Sequence, residues 1–154
     1  MNRALLLLLL AAVYAASLGK LPGAGASTAF DPLAPRPHAV ERLIVAGKFA
    51  DALPQASALR DSYPREPLVL MWVARAHHGL SQWREEASAW EAYQKVSPAP
   101  AESCPALPQA YERLGMVEAA VAAYGRCAEI DPMDPGPRDE LAAAYARHGL
   151  VRTP

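Results

Sequence analysis

Residues 47–64 decide the fold of this chain, and they read GKFADALPQASALRDSYP. The stretch opens on the small residue Gly47, continues with the large apolar Phe49 and closes on Pro64. The pattern returns twice at intervals of 34 residues, with the small residues Ser81 and Gly115 and the prolines Pro98 and Pro132. A small residue suits a tight turn, and a proline ends a helix because it lacks the backbone N–H. The period therefore indicates repeated helix-turn-helix units.

Apolar residues recur in the same register. One register position holds the large residues Phe49, Trp83 and Val117, and another holds Leu59, Tyr93 and Cys127. Twelve residues before each proline stand Ala52, Glu86 and Ala120, so Glu86 departs from the pattern. Each helix pair has an apolar face that it cannot bury alone, so consecutive pairs are expected to stack into a solenoid.

This register resembles that of the tetratricopeptide repeat family. The resemblance covers about residues 33 to 151 and implies an all-α fold, a right-handed solenoid of stacked antiparallel helix pairs preceded by an N-terminal hydrophobic helix. The implied domain, 38–151, comprises repeats at about 33–66, 67–100 and 101–134 and a capping helix at 135–150. Leu141, Ala142 and Tyr145 are expected to dock that helix inward. Glu86, His77 and Pro108 depart from the family pattern, and Pro108 is expected in the first turn of its helix or just beyond it.

Composition excludes several classes of function. The chain has 154 residues, with 15 Lys and Arg against 16 Asp and Glu. This balance is unlike that of a nucleic-acid-binding protein. Adjacent His77 and His78 point apart on a helix and do not form a metal-binding pair. His77 falls on a core position and is interpreted as a packing residue, and His78 is interpreted as a groove residue. No phosphate-binding loop or nucleophile motif is present, and we expect no enzyme activity, cofactor or metal.

The first 26 residues predict a signal peptide or a single-span membrane anchor. Arg3 precedes an apolar run at residues 4–18, and small residues offer cleavage after Ala15 or Ala26. A fifteen-residue helix rises about 22 Å against a hydrocarbon core of about 30 Å, so an uncleaved anchor requires snorkelling or local thinning. Both alternatives carry the rest of the chain across the membrane because Arg3 stays on the cytoplasmic side.

Residues 19–37 are rich in proline and glycine and predict a flexible tether. Beyond it, Cys104 and Cys127 are nearly equidistant from the turn at Gly115, so an antiparallel helix pair brings them together. We expect them to form a disulfide, which an extracytoplasmic compartment permits. The alternative is two buried free thiols. The three tryptophans, Trp72, Trp83 and Trp90, are interpreted as core residues.

The resemblance also implies a concave groove lined by the first helix of each pair, where a partner protein or extended peptide binds. The implied groove residues are Glu41, Ile44, Val45, Met71, Arg75, His78, Gln109, Glu112, Arg113, Asp139 and Arg147. The family's clamp for a C-terminal carboxylate does not carry over, because its positions hold Pro37, Glu41, Arg75 and Gln109.

These features predict a non-enzymatic protein–protein interaction scaffold on the periplasmic side of a bacterial inner membrane. Its expected form is a small subunit of a membrane protein complex, tethered through residues 4–18. One alternative is a soluble periplasmic assembly factor released by leader cleavage. The other is a small-ligand or enzymatic role in the groove around Arg75, His78 and Arg113. No nucleic-acid partner is expected.

Overall fold

The computed structural model describes residues 30–32, 34–98, 100–104 and 106–150. The predicted signal peptide or anchor at residues 1–26 lies outside the described residues. So does most of the predicted tether. The described helices are α1 (Pro35–Val45), α2 (Phe49–Ser62), α3 (Pro67–Gly79), α4 (Trp83–Val96), α5 (Ala106–Arg113), α6 (Val117–Ile130) and α7 (Gly136–Arg147), with a short 3-10 helix at Pro100–Ser103 before α5.

The helices form three pairs, α1 with α2, α3 with α4 and α5 with α6, followed by α7. Each helix packs against the next one along the chain, and α1 also contacts α3 across a repeat boundary. This sequential stacking is what defines a helical solenoid. The predicted all-α solenoid is confirmed.

The turns inside the repeats explain the small residues that set the register. Gly47, Gly115 and Gly149 have φ values of 70°, 69° and 64°, and Ser81 has a φ of 57°. These are left-handed backbone conformations, which glycine adopts without the steric penalty that a side chain brings. Ser81 is the one non-glycine residue with positive φ in the described part of the chain.

The core follows the 34-residue register closely. Trp72, Trp90 and Tyr124 are buried, and Ala52 and Ala120 are completely inaccessible to solvent. The small alanine side chains let neighbouring helices approach. Pro108 is buried as the third residue of α5, in its first turn as expected, where a missing N–H breaks no helical hydrogen bond.

Two interpretations of core residues are wrong. Trp83 is half-buried rather than buried. His77 is also only half-buried, because its Nδ1 lies 2.7 Å from Oε1 of Gln82 in the exposed turn after α3. The ring thus stabilises the turn instead of filling the core.

The capping helix differs from expectation in one position. Ala144 is the buried residue of α7, whereas Ala142 is exposed and Leu141 and Tyr145 are half-buried. The apolar stripe of α7 therefore faces the rest of the solenoid at a slightly different rotation from the one predicted.

A disulfide joins Cys104 to Cys127, with their Cα atoms 5.9 Å apart. It links the residue just after the 3-10 helix to α6, at the end of the third pair opposite its turn. Among the described helices, none is both long enough and apolar enough to cross a membrane.

Candidate functional site

The predicted groove residues all lie on the first helices α1, α3, α5 and α7. Exposed among them are Glu41, Val45, Arg75, His78, Gln109, Arg113, Asp139 and Arg147, and half-buried are Ile44, Met71 and Glu112. Val45 is 83% exposed, which is unusual for a valine on a helix. Side chains on this set of helices therefore remain available to a partner.

A cluster of aromatic and basic side chains connects the second and third repeats. The rings of His78 and Trp83 meet edge to face, with centroids 5.7 Å apart. The Arg113 guanidinium carbon lies 5.2 Å from the centroid of the Trp83 ring, within the range of a cation–π interaction. We call His78, Trp83 and Arg113 the Trp83 cluster. It explains why Trp83 is not in the core, since its ring supports a groove residue.

The buried residue Glu86 contacts this cluster through His78. Its side chain is 1% exposed, and Oε1 lies 2.9 Å from His78 Nδ1. Its other oxygen, Oε2, and the indole Nε1 of Trp90 one turn later on α4 have no hydrogen-bond partner among the described residues. Burying a carboxylate is unfavourable unless it is paired, so the contact with His78 is the main compensation. The register identified Glu86 as exceptional, but only packing reveals its partner.

A second cluster forms around Glu112 and joins α5 to the end of α7. Glu112 Oε1 accepts hydrogen bonds from Arg147 Nε at 3.2 Å and Nη2 at 2.9 Å, and it lies 2.9 Å from His148 Nε2. Glu112 Oε2 accepts from the Tyr124 hydroxyl at 3.2 Å. We call Glu112, Tyr124, Arg147 and His148 the Glu112 cluster. Sequence reasoning placed two of these residues in the groove and missed Tyr124 and His148.

The Glu112 cluster shifts the titration of its members. Burial alone raises the pKa of Glu112, but the hydrogen bonds from Arg147, His148 and Tyr124 outweigh it, and the pKa is lowered from 4.5. Burial, followed by the nearby Glu112 charge, raises the pKa of Tyr124 to about 12. The hydrogen bond to Glu112 raises the pKa of Arg147. The cluster is therefore an ionised carboxylate held by one guanidinium and a neutral phenol at neutral pH.

A parallel contact ties the second repeat to the third. The Tyr111 hydroxyl donates to Glu91 Oε1 at 2.6 Å. Burial, with this hydrogen bond, raises the pKa of Tyr111 to about 12. This bond joins α5 to α4, so each interface around α5 contains a buried phenol bonded to a glutamate.

The remaining charges on the groove helices are paired weakly. Arg75 Nη2 lies 3.8 Å from Glu102 Oε2, and His38 Nδ1 lies 3.6 Å from Glu41 Oε2. These side chains are about half exposed or more, where ion pairs contribute little to stability. Such charges are therefore free to exchange their partners for those of a bound protein.

The structure brings only part of the predicted groove together around one cavity. This cavity has a volume of about 310 Å³, and we call it the groove cavity. Its walls are Gln109, Glu112, Arg113, Tyr124, Glu140 and Arg147. Glu41, Ile44, Val45, Met71, Arg75, His78 and Asp139 do not line it. Within the described residues, no group of three or more His, Cys, Asp or Glu side chains is arranged to hold a metal ion.

Comparisons with known proteins support the fold. No protein-family model and no curated protein matches this chain. Among solved structures, it is similar to the first TPR of Spaghetti (RPAP3) bound to HSP90 peptide SRMEEVD. The identity is 18%, the TM-score is 0.66, and the match covers 73% of this chain and 89% of that one.

It is also similar to the NMR structure of the first TPR domain of the human RPAP3 protein. Here the identity is again 18%, the TM-score is 0.64, and the match covers 73% of this chain and 88% of that one. At this identity the likeness concerns the backbone. This backbone similarity agrees with the 34-residue register, the stacked helix pairs and the left-handed turns. The chain therefore has the tetratricopeptide-repeat fold.

Proposed function

We propose that this chain is a non-enzymatic protein–protein interaction scaffold that holds a partner on the exposed side chains of α1, α3, α5 and α7. The observation that carries the proposal is the exposure of eight predicted groove residues on these four helices. Stacked repeats present such helices on an extended concave surface, which is where solenoid proteins bind. One of the similar structures, the first TPR of RPAP3, is bound to an HSP90 peptide.

The polarity of this surface changes along the solenoid, from apolar side chains in the first repeat to charged ones at α7. The first repeat contributes the apolar Ile44 and Val45, whereas the third repeat and α7 contribute Arg113 and Arg147. A partner with an apolar segment followed by polar and charged residues matches this gradient. The two clusters hold Arg113 and Arg147 in place through Trp83 and Glu112, so less side-chain entropy is lost on binding.

We further propose that the scaffold works outside the cytoplasm, on the periplasmic side of a bacterial inner membrane. Two features support this location. Arg3 precedes an apolar run at residues 4–18, as in a signal peptide or membrane anchor. The Cys104–Cys127 bond also suits an oxidising compartment. In the version we favour, the apolar run stays in the bilayer and the protein is a small subunit of a membrane complex. The alternative is a soluble periplasmic assembly factor.

The test combines co-isolation with a charge reversal in the groove. A C-terminally tagged chain is extracted from its own membranes in mild detergent and analysed by native mass spectrometry. A full-length mass with stoichiometric membrane subunits supports the tethered version. A mass shortened to the residue after Ala15 or Ala26, with soluble clients, supports the alternative and overturns the tether.

Matched variants then locate the binding surface. Arg75→Glu/Arg113→Glu reverses two groove charges, and we expect it to abolish co-isolation. Arg65→Glu/Arg84→Glu makes the same change in charge at exposed positions outside the groove helices, and we expect it to retain the partner. Equal retention by both double variants would contradict binding through the groove.

A further inference from the structure

We propose that the chain has a second contact point for its partner, a cavity beside the Cys104–Cys127 bond that takes a large apolar side chain flanked by Lys or Arg. The proposal rests on the proposed function, because it names the chemistry of one part of the partner. We call this space the disulfide cavity.

The disulfide cavity lies between the 3-10 helix, the last turns of α6 and the start of α7. Its volume is about 370 Å³. Its apolar walls are Ala101, Cys104, Tyr124, Cys127, Ile130 and Pro137. Pockets for small ligands span about 300–1,000 Å³, so this one suits a side chain or two rather than a large cofactor. Ile130, at its mouth, is 39% exposed.

The repeat register explains why there is space here. The residues 34 positions before Cys104 and Cys127 are Leu70 and Tyr93, and both are buried. The third repeat therefore has two short side chains where the second has two large ones. The disulfide fixes the Cα atoms of the two cysteines 5.9 Å apart, so the two segments that carry them keep a constant separation beside this space.

The rim of the disulfide cavity carries one sign of charge. Asp131, Asp134 and Glu140 line it, and its lining among the described residues includes no Lys, Arg or His. Asp131 Oδ1 accepts the backbone N–H groups of Met133 and Asp134, and Asp134 Oδ1 accepts that of Gly136. These bonds hold two of the carboxylates in position. An apolar floor inside an acidic rim complements an apolar side chain with a basic neighbour.

The disulfide cavity and the groove cavity are adjacent. Tyr124 and Glu140 are part of both walls. A partner segment that contacts Arg113 and Arg147 in the groove can therefore reach the disulfide cavity by continuing past Glu140, which is exposed. The two sites differ in charge, since the groove cavity is lined by two arginines and two glutamates, whereas the charged side chains that line the disulfide cavity are all acidic. A basic neighbour of the apolar side chain is therefore favoured at the disulfide cavity.

The test uses random twelve-residue peptides displayed on phage and selected against the oxidised protein. Selected peptides are synthesised with a fluorescein label, and their affinity is measured by fluorescence anisotropy. We expect them to contain a large apolar residue beside Lys or Arg. Ala101→Trp fills the cavity from an exposed position, and we expect it to weaken binding about tenfold or more. Ala101→Leu should weaken binding by a smaller factor.

Charge reversal tests the rim. Glu140→Lys should weaken binding about fivefold or more, and the control Glu118→Lys, an exposed residue of α6 away from the cavity, should leave it unchanged. Circular dichroism of each variant verifies the helical fold. Selected peptides without basic residues, or peptides unaffected by both Ala101→Trp and Glu140→Lys, would overturn the proposal.

The outcomes separate this proposal from the proposed function. Peptides that lose affinity only in Arg75→Glu/Arg113→Glu show that the groove binds and that the disulfide cavity does not. Selection of no peptide above an unrelated helical protein also overturns the cavity proposal, whereas the groove is judged independently by co-isolation of the native partner.

Discussion

Arg147 reaches back 35 residues along the chain to Glu112, where its Nη2 lies 2.9 Å from Oε1. This bond ties the last described helix to the first helix of the third repeat. His148 and Tyr124 bond the same carboxylate. One side chain thus connects α5, α6 and the end of α7, and it does so at the surface that we propose as the binding groove.

Removing the charge of Glu112 should loosen this end of the solenoid. We expect Glu112→Gln to lower the free energy of unfolding by about 1–3 kcal/mol, because hydrogen bonds to charged groups are lost. Urea denaturation followed by circular dichroism measures the change. Glu118→Gln removes an exposed charge on α6 and should change stability by less than about 0.5 kcal/mol. Equal effects of the two variants would mean that the Glu112 cluster contributes no stability.

The same carboxylate makes stability depend on pH in acid. Its pKa is lower in the folded chain than the ordinary value of 4.5, so its contribution is present above that value and is lost as the pH falls through the lowered pKa. We expect the difference in unfolding free energy between the wild type and Glu112→Gln to shrink as the pH is lowered from 6 to 3. A difference that stays constant over this range would contradict the assignment.

The His78–Glu86 pair in the second repeat, of which Glu86 is buried, should be replaceable by its counterpart in the first. The equivalents of His78 and Glu86 are Ile44 and Ala52. We expect His78→Ile alone to destabilise the chain by about 1–3 kcal/mol, since it leaves the buried Glu86 carboxylate unpaired.

The double variant His78→Ile/Glu86→Ala should recover to within about 1 kcal/mol of the wild type, because replacing both partners of a hydrogen bond with apolar residues can be nearly neutral. Urea denaturation of the single and double variants measures the coupling. Additive losses would show that the two side chains do not depend on each other.

Two glycines should respond to alanine in opposite directions. A Cβ atom on Gly79 would overlap the ring of Phe49, which packs from α2 onto the end of α3. We expect Gly79→Ala to destabilise the chain by about 1–3 kcal/mol, as overpacking does. Gly125 lies inside α6, and apart from the backbone of its own helix nothing lies within 4 Å of an added Cβ. Gly125→Ala should therefore stabilise by about 0.5–1 kcal/mol through helix propensity. A thermal melt of each variant is sufficient, and a gain from Gly79→Ala would show that the ring moves aside freely.

The disulfide should account for a large share of stability. The cysteines are 23 residues apart, and closing a loop of this size contributes about 3 kcal/mol in the chain-entropy model. We expect reduction, or Cys104→Ala/Cys127→Ala, to lower the unfolding free energy by about that amount. Alkylation of the protein, denatured directly from its own cells without reductant, should label neither cysteine. Labelling of both would show free thiols in the native compartment.

Much of the fold was predictable because the same two structural requirements recur every 34 residues, a left-handed turn and a close approach of helices. Gly47 and Gly115 stand where the backbone is left-handed, and Ala52 and Ala120 stand where helices approach most closely. Either requirement selects a residue type that is visible in the sequence. Ser81 meets the same backbone requirement without being glycine, and the register still identified it.

The clusters were less predictable, because their partners occupy different register positions. Glu112 bonds residues 12, 35 and 36 positions later, and none of these separations is a multiple of the period. His77 and Trp83 illustrate the same limit. The register places both in the core. However, His77 bonds Gln82 in the turn, and the Trp83 ring packs against the Arg113 guanidinium. Whether two polar side chains on different helices meet depends on the rotation of each helix about its axis and on the side-chain rotamers. The 34-residue period determines neither.

The position of the disulfide affects the order in which the repeats unfold and refold. Repeats that contact only their neighbours unfold locally, beginning where the fewest contacts hold them. The bond closes the third helix pair at the end opposite its turn, so that pair retains a short loop even when its helices melt. Backbone amides of α5 and α6 should therefore exchange with solvent more slowly than those of α1. Refolding should begin at the third pair and proceed toward the N-terminus, leaving the first repeat, with Ile44 and Val45, as the last part of the binding surface to form.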